Sequence, residues 1–287
     1  NLVIQPTLND DISRVSADLG LMVLQEGFLR SRTGANVGWA KMGLTRLIGD
    51  AARRYIEDRG GRVRLDAGLD RQEVDGAGAT RARFEGEEIT ADAYVLALTP
   101  DRLLEALPPA LNDAPFFSRA RRLAWSPIVN VHMWYDRRVW AADFAAFLNT
   151  PLQWAFNKSK LWGQEGSGQY IDISLSGAHD FIDRPGQEIV DLFRKEMDAL
   201  FPAARGAELS RALVVKQRQA TFSAVPGTAA LRLSQETPVR NLFVAGDWTA
   251  TGWPATMESA VRSGRLAARA VLASGGGVDE RLSVGAP

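Results

Sequence analysis

Residues 241–264 read NLFVAGDWTATGWPATMESAVRSG. Leu242 to Ala245 is a short apolar run of the buried-strand kind, and Gly246 interrupts it. Asp247 therefore falls where the carboxyl end of a strand opens, the place where open α/β sheets bind ligands. Further on, the spacing predicts a helix. Pro254 suits its first turn, and Met257, Ala260, Val261, Gly264, Ala268 and Val271 recur at helical period. That narrow face of small side chains is expected to lie against a sheet, and Gly275, Gly276 and Gly277 end the helix.

The layout offers two groups to one bound molecule: a carboxylate that accepts from ligand hydroxyls, and helix-start N–H groups that favour developing negative charge. A flavin uses both, because its ribityl chain carries hydroxyls and its pyrimidine edge gains negative charge on reduction. The string GDWTATGWPATMESAVRSG resembles the second flavin-contacting motif of the FAD-dependent amine oxidase and phytoene desaturase superfamily. Within it, the likeness is to the bacterial squalene-associated FAD-dependent desaturase group, whose members include hydroxysqualene dehydroxylase. The resemblance implies that FAD is the cofactor, that Asp247 holds the ribityl chain and that the backbone from Ala255 to Met257 faces the pyrimidine edge. Gly246, Trp253, Pro254 and Thr256 belong to the same implied cofactor-binding set. Leu69, in GGRVRLDAGLDRQEV, is placed by the resemblance near the adenine, and from its own pattern is equally a sheet-core leucine.

The chain has 287 residues, enough for about two domains at ~150 residues each. Its 34 basic and 34 acidic residues balance, so nothing points to nucleic acid or an anionic membrane surface. It has no cysteine, which removes disulfides, thiolate metal sites and a cysteinyl-flavin bond, and with only two histidines a histidine-rich metal site is not expected. No run of roughly 18 apolar residues is present, so this stretch is expected to be soluble or peripheral to a membrane, and a reducing, cytoplasmic setting in a bacterium fits it. GxGxxG is absent. Gly76-Ala77-Gly78 lies in a polar stretch and reads as a hairpin turn. With a start at NLVIQPTLNDD and no Met, the chain is expected to be the C-terminal part of a longer enzyme whose first βαβ unit lies elsewhere.

The expected fold class is mixed α/β: a partial FAD-binding Rossmann-like domain lacking its N-terminal βαβ unit, plus a substrate domain with a mixed or antiparallel sheet and helices. The flavin domain is assigned residues 45–100 and 236–274, the substrate domain 1–44 and 101–235. Asp10 or Asp11 is expected to cap a helix bearing Val15, Leu19, Met22 and Val23, and a second helix runs from Met42 to Gly60-Gly61. Strands are expected at Arg62–Leu65 leading to Leu69 and Val74, at Arg81–Phe84, Ala93–Leu98, Ile128–Tyr135, Gln169–Ser174 and Ala212–Gln217. Thr99-Pro100 starts a short helix, Pro185–Phe201 is an amphipathic helix, and the tail after Ser274 reads as disordered.

Five of the eight tryptophans, Trp125, Trp134, Trp140, Trp154 and Trp162, fall in the middle segment beside Phe116, Phe117, Phe144, Phe147 and Phe156. They form either sheet core or a tunnel for a long hydrocarbon. His132, alternating with Val131 and Met133, reads as a satisfied structural histidine before a proton donor. Arg232, Lys216 and Arg218 are candidates for polar work that read first as a solvated face. The resemblance implies a hydrophobic isoprenoid substrate, with reductive dehydroxylation of hydroxysqualene as the first reading and phytoene desaturation as the second. Amine oxidation ranks third, because Asn130 stands where amine oxidases of this fold commonly carry a lysine. A non-catalytic flavin-fold module is the remaining class. Catalytic residues and the electron partner stay unassigned. Two departures from the family pattern are Leu231-Arg232-Leu233, where proline often follows the arginine, and Ala40-Lys41-Met42-Gly43, where Pro-Gly often opens the second helix.

Overall fold

The computed structural model describes residues 2–275; the part of the tail from residue 276 onward, expected to be disordered, lies outside the described residues. In chain order the strands are β1 (Arg71–Asp75), β2 (Gly78–Phe84), β3 (Glu87–Ile89), β4 (Tyr94–Leu96), β5 (Trp125–Tyr135), β6 (Phe144–Ala146), β7 (Trp154–Asn157), β8 (Gln169–Ser176), β9 (Leu209–Phe222) and β10 (Leu242–Val244). Two compact units share them. One comprises residues 1–64 and 125–220, the other residues 65–124 and 221–287. The second unit thus includes 101–124 and 221–235, assigned above to the substrate domain, and the first includes 45–64, assigned above to the flavin domain. Leu103, Leu104 and Leu107 of the first stretch and Phe222 and Leu233 of the second pack into one cluster with Leu242 and Val244.

In the first unit, a five-stranded sheet has the order β6-β7-β8-β5-β9. Alternation along β5 sends Val129, Val131, Met133 and Tyr135 to one face, where they meet Ile171, Ile173 and Leu175 of β8. The helix Gly186–Leu200 covers that face with Ile189, Val190, Phe193 and Met197. The opposite face carries the intervening residues, and antiparallel register aligns them in rows. One row runs Phe144–Phe156–Asp172–His132, and the next Ala146–Trp154–Ser174–Asn130.

Aspartate at position 11 does not cap the first expected helix. Asp10 is buried and paired with Arg14 at 3.3 Å, and Asp11 accepts from the Ser13 N–H, closing a separate turn. The helix begins at Ala17 with Ser16 at the N-cap position, and a further short helix, Ile4–Leu8, precedes it. The second expected helix forms as a π-helical turn, Thr45–Gly49, followed by Asp50–Glu57. Its apolar face is exposed, as are Leu21, Leu24, Phe28 and Leu29 of the first, with Leu29 at 79%.

In the second unit β1, β2 and β3 form an antiparallel sheet, with Gly76-Ala77 as the turn between the first two. Arg62–Leu65 is not a strand: those residues lie in irregular chain, and Leu65 is exposed. The partner that β2 finds instead is β3, a short all-exposed strand with no apolar alternation to announce it. β4 and β10 pair in parallel, Leu242 with Tyr94 and Val244 with Leu96. Asn241 joins this pair to the hairpin, donating from Nδ2 to the carbonyls of Ala79 and Asp92 and accepting from the Ala79 N–H. Gly78 is required there, since at φ +139° a Cβ would stand 2.6 Å from Asn241 Oδ1.

Candidate cofactor site

β10 ends at Val244, and the chain then turns sharply through Gly246, at φ +136°. A Cβ on Gly246 would meet the Trp248 indole Nε1 at 2.7 Å, so only glycine lets the indole fold back over the backbone. That indole is 2% exposed and donates to the Leu98 carbonyl at 2.8 Å, fixing the loop to the end of β4. Thr249 Oγ1 donates to the Gly246 carbonyl and accepts from Gln235, which closes the turn from the other side.

Arg232 lies beneath the loop. It is 6% exposed, and its guanidinium donates to the carbonyls of Asp247 and Trp248 and to Thr251 Oγ1, at 3.0–3.2 Å. Its cation also lies over the Phe222 ring. The solvated-face reading of Arg232 is thereby corrected: the arginine is a buried clamp. Burial pulls its pKa down to about 10, against an opposing pull from Asp247, so it remains a cation near neutrality.

The helix Met257–Ser274 begins after Thr256, whose hydroxyl accepts from the Ser259 N–H as an N-cap. Pro254 precedes this cap and is outside the helix, contrary to the expected first-turn position. The helix also presents a different face from the one its apolar period suggested. Met257 (57%) and Val261 (61%) are exposed, while Ser259, Ser263, Ala267 and Ala270 are buried. The reason is polar: Ser259 Oγ donates to the Asp247 carbonyl and Ser263 Oγ accepts from the Gly246 N–H, both at 2.8 Å. Two hydroxyls at helical spacing satisfy backbone groups that the sharp turn leaves without a sheet partner.

The predicted set is thus largely gathered in one unit. Gly246 and Asp247 stand at the end of β10, Trp253 is half-buried with the Arg262 guanidinium 4.1 Å above its ring, and Thr256 and Met257 form the helix start. Leu69 and Ala255 are half-buried at the edge of the same apolar cluster. The residues that sequence reasoning missed are Thr251, Ser259 and Ser263, of which the spacing of Ser259 and Ser263, one helical turn apart, was a signal; Arg232 was noticed, at the place of the family's loop arginine, but its burial was not foreseen.

This donor set fits a flavin. The Asp247 carboxyl is raised above its ordinary value, chiefly by burial, although the Trp248 N–H and the charge of Arg232 act against the rise. A ligand hydroxyl donating to it would stabilise its charged form. The N–H groups of Met257 and Glu258, in the first turn of an 18-residue helix, have no intrahelical carbonyl to bond and suit an electron-rich ring edge.

The pattern of the family described as flavin containing amine oxidoreductase matches residues 10–272, and the chain belongs to that family. Hydroxysqualene dehydroxylase of Sinorhizobium fredii is 31% identical over 268 residues, covering 92% of this chain and 60% of that protein. The chloroplastic/chromoplastic 15-cis-phytoene desaturase of Capsicum annuum is 31% identical over 229 residues, 76% of this chain and 39% of that protein. Among solved structures, cyclohexylamine oxidase from Brevibacterium oxydans superposes with a TM-score of 0.68 at 19% identity, over 94% of this chain and 62% of that one. The chain therefore spans between about two fifths and three fifths of the length of these relatives. Mixed α/β architecture and a flavin cofactor stand with the family.

Proposed function

We propose that this chain is the flavin-edge and substrate-face portion of an FAD-dependent oxidoreductase acting on an isoprenoid, and that its reaction is reductive removal of the hydroxyl of hydroxysqualene to give squalene. The observation that carries the reading is the Gly246–Asp247 loop, clamped by Arg232 and docked on Ser259 and Ser263 with a capped helix start beside it. The similarity to hydroxysqualene dehydroxylase along 92% of the chain supports the substrate. In the reaction a C–O bond breaks, the hydroxyl leaves as water after gaining a proton, and the carbon takes a hydride; reduced FAD supplies that hydride. Asp247 and the first turn of the Met257–Ser274 helix would hold the cofactor, Leu69 would lie toward its adenine, and Trp253, Pro254 and Ala255 would shape its edge.

Phytoene desaturation is the second reading, favoured by the similarity to several phytoene desaturases, including that of Synechococcus elongatus at 29% identity over 92% of this chain. Amine oxidation is weaker, because Asn130 stands at the position of the amine oxidases' lysine and is engaged with Asp172, although the Lys158 ammonium lies 3.6 Å from the other oxygen of that carboxyl. Among the described residues no helix is long and apolar enough to cross a membrane. The exposed leucines near residues 21–29 support peripheral contact with one, from which such a substrate would be drawn. Product analysis of the FAD-loaded enzyme separates the readings. Squalene formed from hydroxysqualene under reducing, anaerobic conditions is the expected result, and desaturated product from phytoene with no squalene would replace it by the second.

A further inference from the structure

On the outer face of the first unit's sheet, a cavity of about 290 Å³ is walled by Trp39, Leu44, Phe156 and Trp162, with Lys158 and Asp172 as its charged residues. This is close to the lower end of the ~300–1,000 Å³ typical of small-ligand pockets. We propose that it binds the hydroxyl-bearing stretch of a long-chain, isoprenoid-like alcohol, with Asp172 and Lys158 as the pair that recognises the hydroxyl. For its ligand class the assignment rests on the function proposed above; its geometry is independent of the flavin.

The polar end is built, and each part has a stated partner. Asp172 is buried on β8, and Oδ1 accepts from Asn130 Nδ2 at 3.3 Å, with His132 Nδ1 lying 3.4 Å away. His132 is itself fixed by the Tyr170 hydroxyl, 2.9 Å from Nδ1, and Tyr170 stacks on Trp134. Burial pushes that phenol up to about 12, so it keeps its proton near neutrality. With Oδ1 so occupied, Oδ2 faces Lys158 Nζ at 3.6 Å. The ammonium lies between the rings of Phe156 and Trp162, 5.6 and 5.4 Å from their centroids.

Charge selects the ligand. One cation and one carboxylate stand side by side, so an incoming ammonium would be opposed by Lys158 and an incoming phosphate by Asp172. A neutral hydroxyl meets both, accepting from the ammonium and donating to Oδ2, while its apolar chain lies along the aromatic walls. A hydrocarbon of the same length gains the walls alone.

The test is a titration of intrinsic tryptophan fluorescence in the full chain with farnesol, with farnesene as the hydrocarbon and with farnesylamine as the cation. Farnesol is expected to bind at least tenfold more tightly than either. Lys158→Met and Asp172→Asn are each expected to reduce the preference over farnesene to less than threefold, with farnesene binding retained. Should Asp172→Asn fail to fold by circular dichroism, the half-buried Lys158→Met carries the test. Equal binding of alcohol and hydrocarbon, tighter binding of the amine, no binding of any, or a preference that survives Lys158→Met would overturn the assignment. Failure of the proposed reaction is read separately: an alcohol preference without squalene formation leaves this site standing, and squalene formation without the preference removes this site alone.

Discussion

At Gly246 the left-handed backbone and the indole above it leave no space for a methyl group, so Gly246→Ala combines an unfavourable φ with a 2.7 Å approach to Trp248. Urea denaturation is expected to show a loss of ~1–3 kcal/mol, the cost of a residue held in such a region. Asp247, beside it, yields a pH signature. Burial raises the folded carboxyl above its unfolded value, so the folded chain holds that proton more tightly than the unfolded chain. The resulting stability is full below the unfolded carboxylate pKa of roughly 4 and is lost as pH rises through the higher folded value. Asp247→Asn cannot titrate; its stability should therefore lack that fall and equal or exceed the parent's above the carboxylate range, while flavin affinity drops. A pH series of urea midpoints, paired with flavin fluorescence titration, checks both halves. Asp247 and Gly246 were legible in the sequence through the whole string from Gly246 to Gly264, since a glycine and a carboxylate at a strand's end alone equally suit a plain crossover with a capping aspartate. Arg232 was legible only as the arginine of the family's loop; its burial was not, because LRLSQETP carries no period and its four acceptors, the carbonyls of Asp247 and Trp248 and the hydroxyls of Thr251 and Ser259, all lie further along the chain.

Among the elements, the Met257–Ser274 helix shows why hydrophobic period alone chose the wrong face. Ser259 and Ser263 score as polar, yet they are buried because each satisfies a main-chain group of the loop. Removing one such partner leaves a buried donor without an acceptor. Ser263→Ala should thus cost ~1–3 kcal/mol, and the exposed Val261→Ser should shift stability by less than about 0.5 kcal/mol. Thermal or urea melts that rank the two in the opposite order would contradict the docking described. The sheet of the first unit behaved differently. β5 and β8 were readable because strict alternation puts every second side chain in the core, whereas β3 has no buried residue and so left no pattern to read.

For the molecule as a whole, apolar surface is unevenly spent. The core beneath β5 and β8 is closely filled, and Ile173→Ala there should cost ~2–5 kcal/mol. Residues 21–56 of the same unit expose Leu21, Phe28, Leu29, Leu47, Ile48 and Tyr55 to solvent. Exposed apolar side chains of this kind, where they gather, bind hydrophobic dyes and promote association. The chain should brighten 8-anilinonaphthalene-1-sulfonate and sediment in a concentration-dependent way, and Leu47→Lys with Ile48→Lys should weaken both while moving the urea midpoint less than Ile173→Ala does. The helical period of residues 42–56 was plain in the sequence; that its apolar stripe would face outward was not, because a period reveals a face and not what covers it.

Arg232 grips positions 247 and 248 by their carbonyls, which every amino acid possesses. At 247 the shape of the loop is for that reason independent of the side chain displayed, while at 248 the buried indole still ties the loop to the Leu98 carbonyl. A lineage carrying this scaffold can exchange the carboxylate at 247 in a single step, altering which molecules are welcomed, and inherit the same curve of main chain intact. Descendants would diverge in taste before they diverged in form.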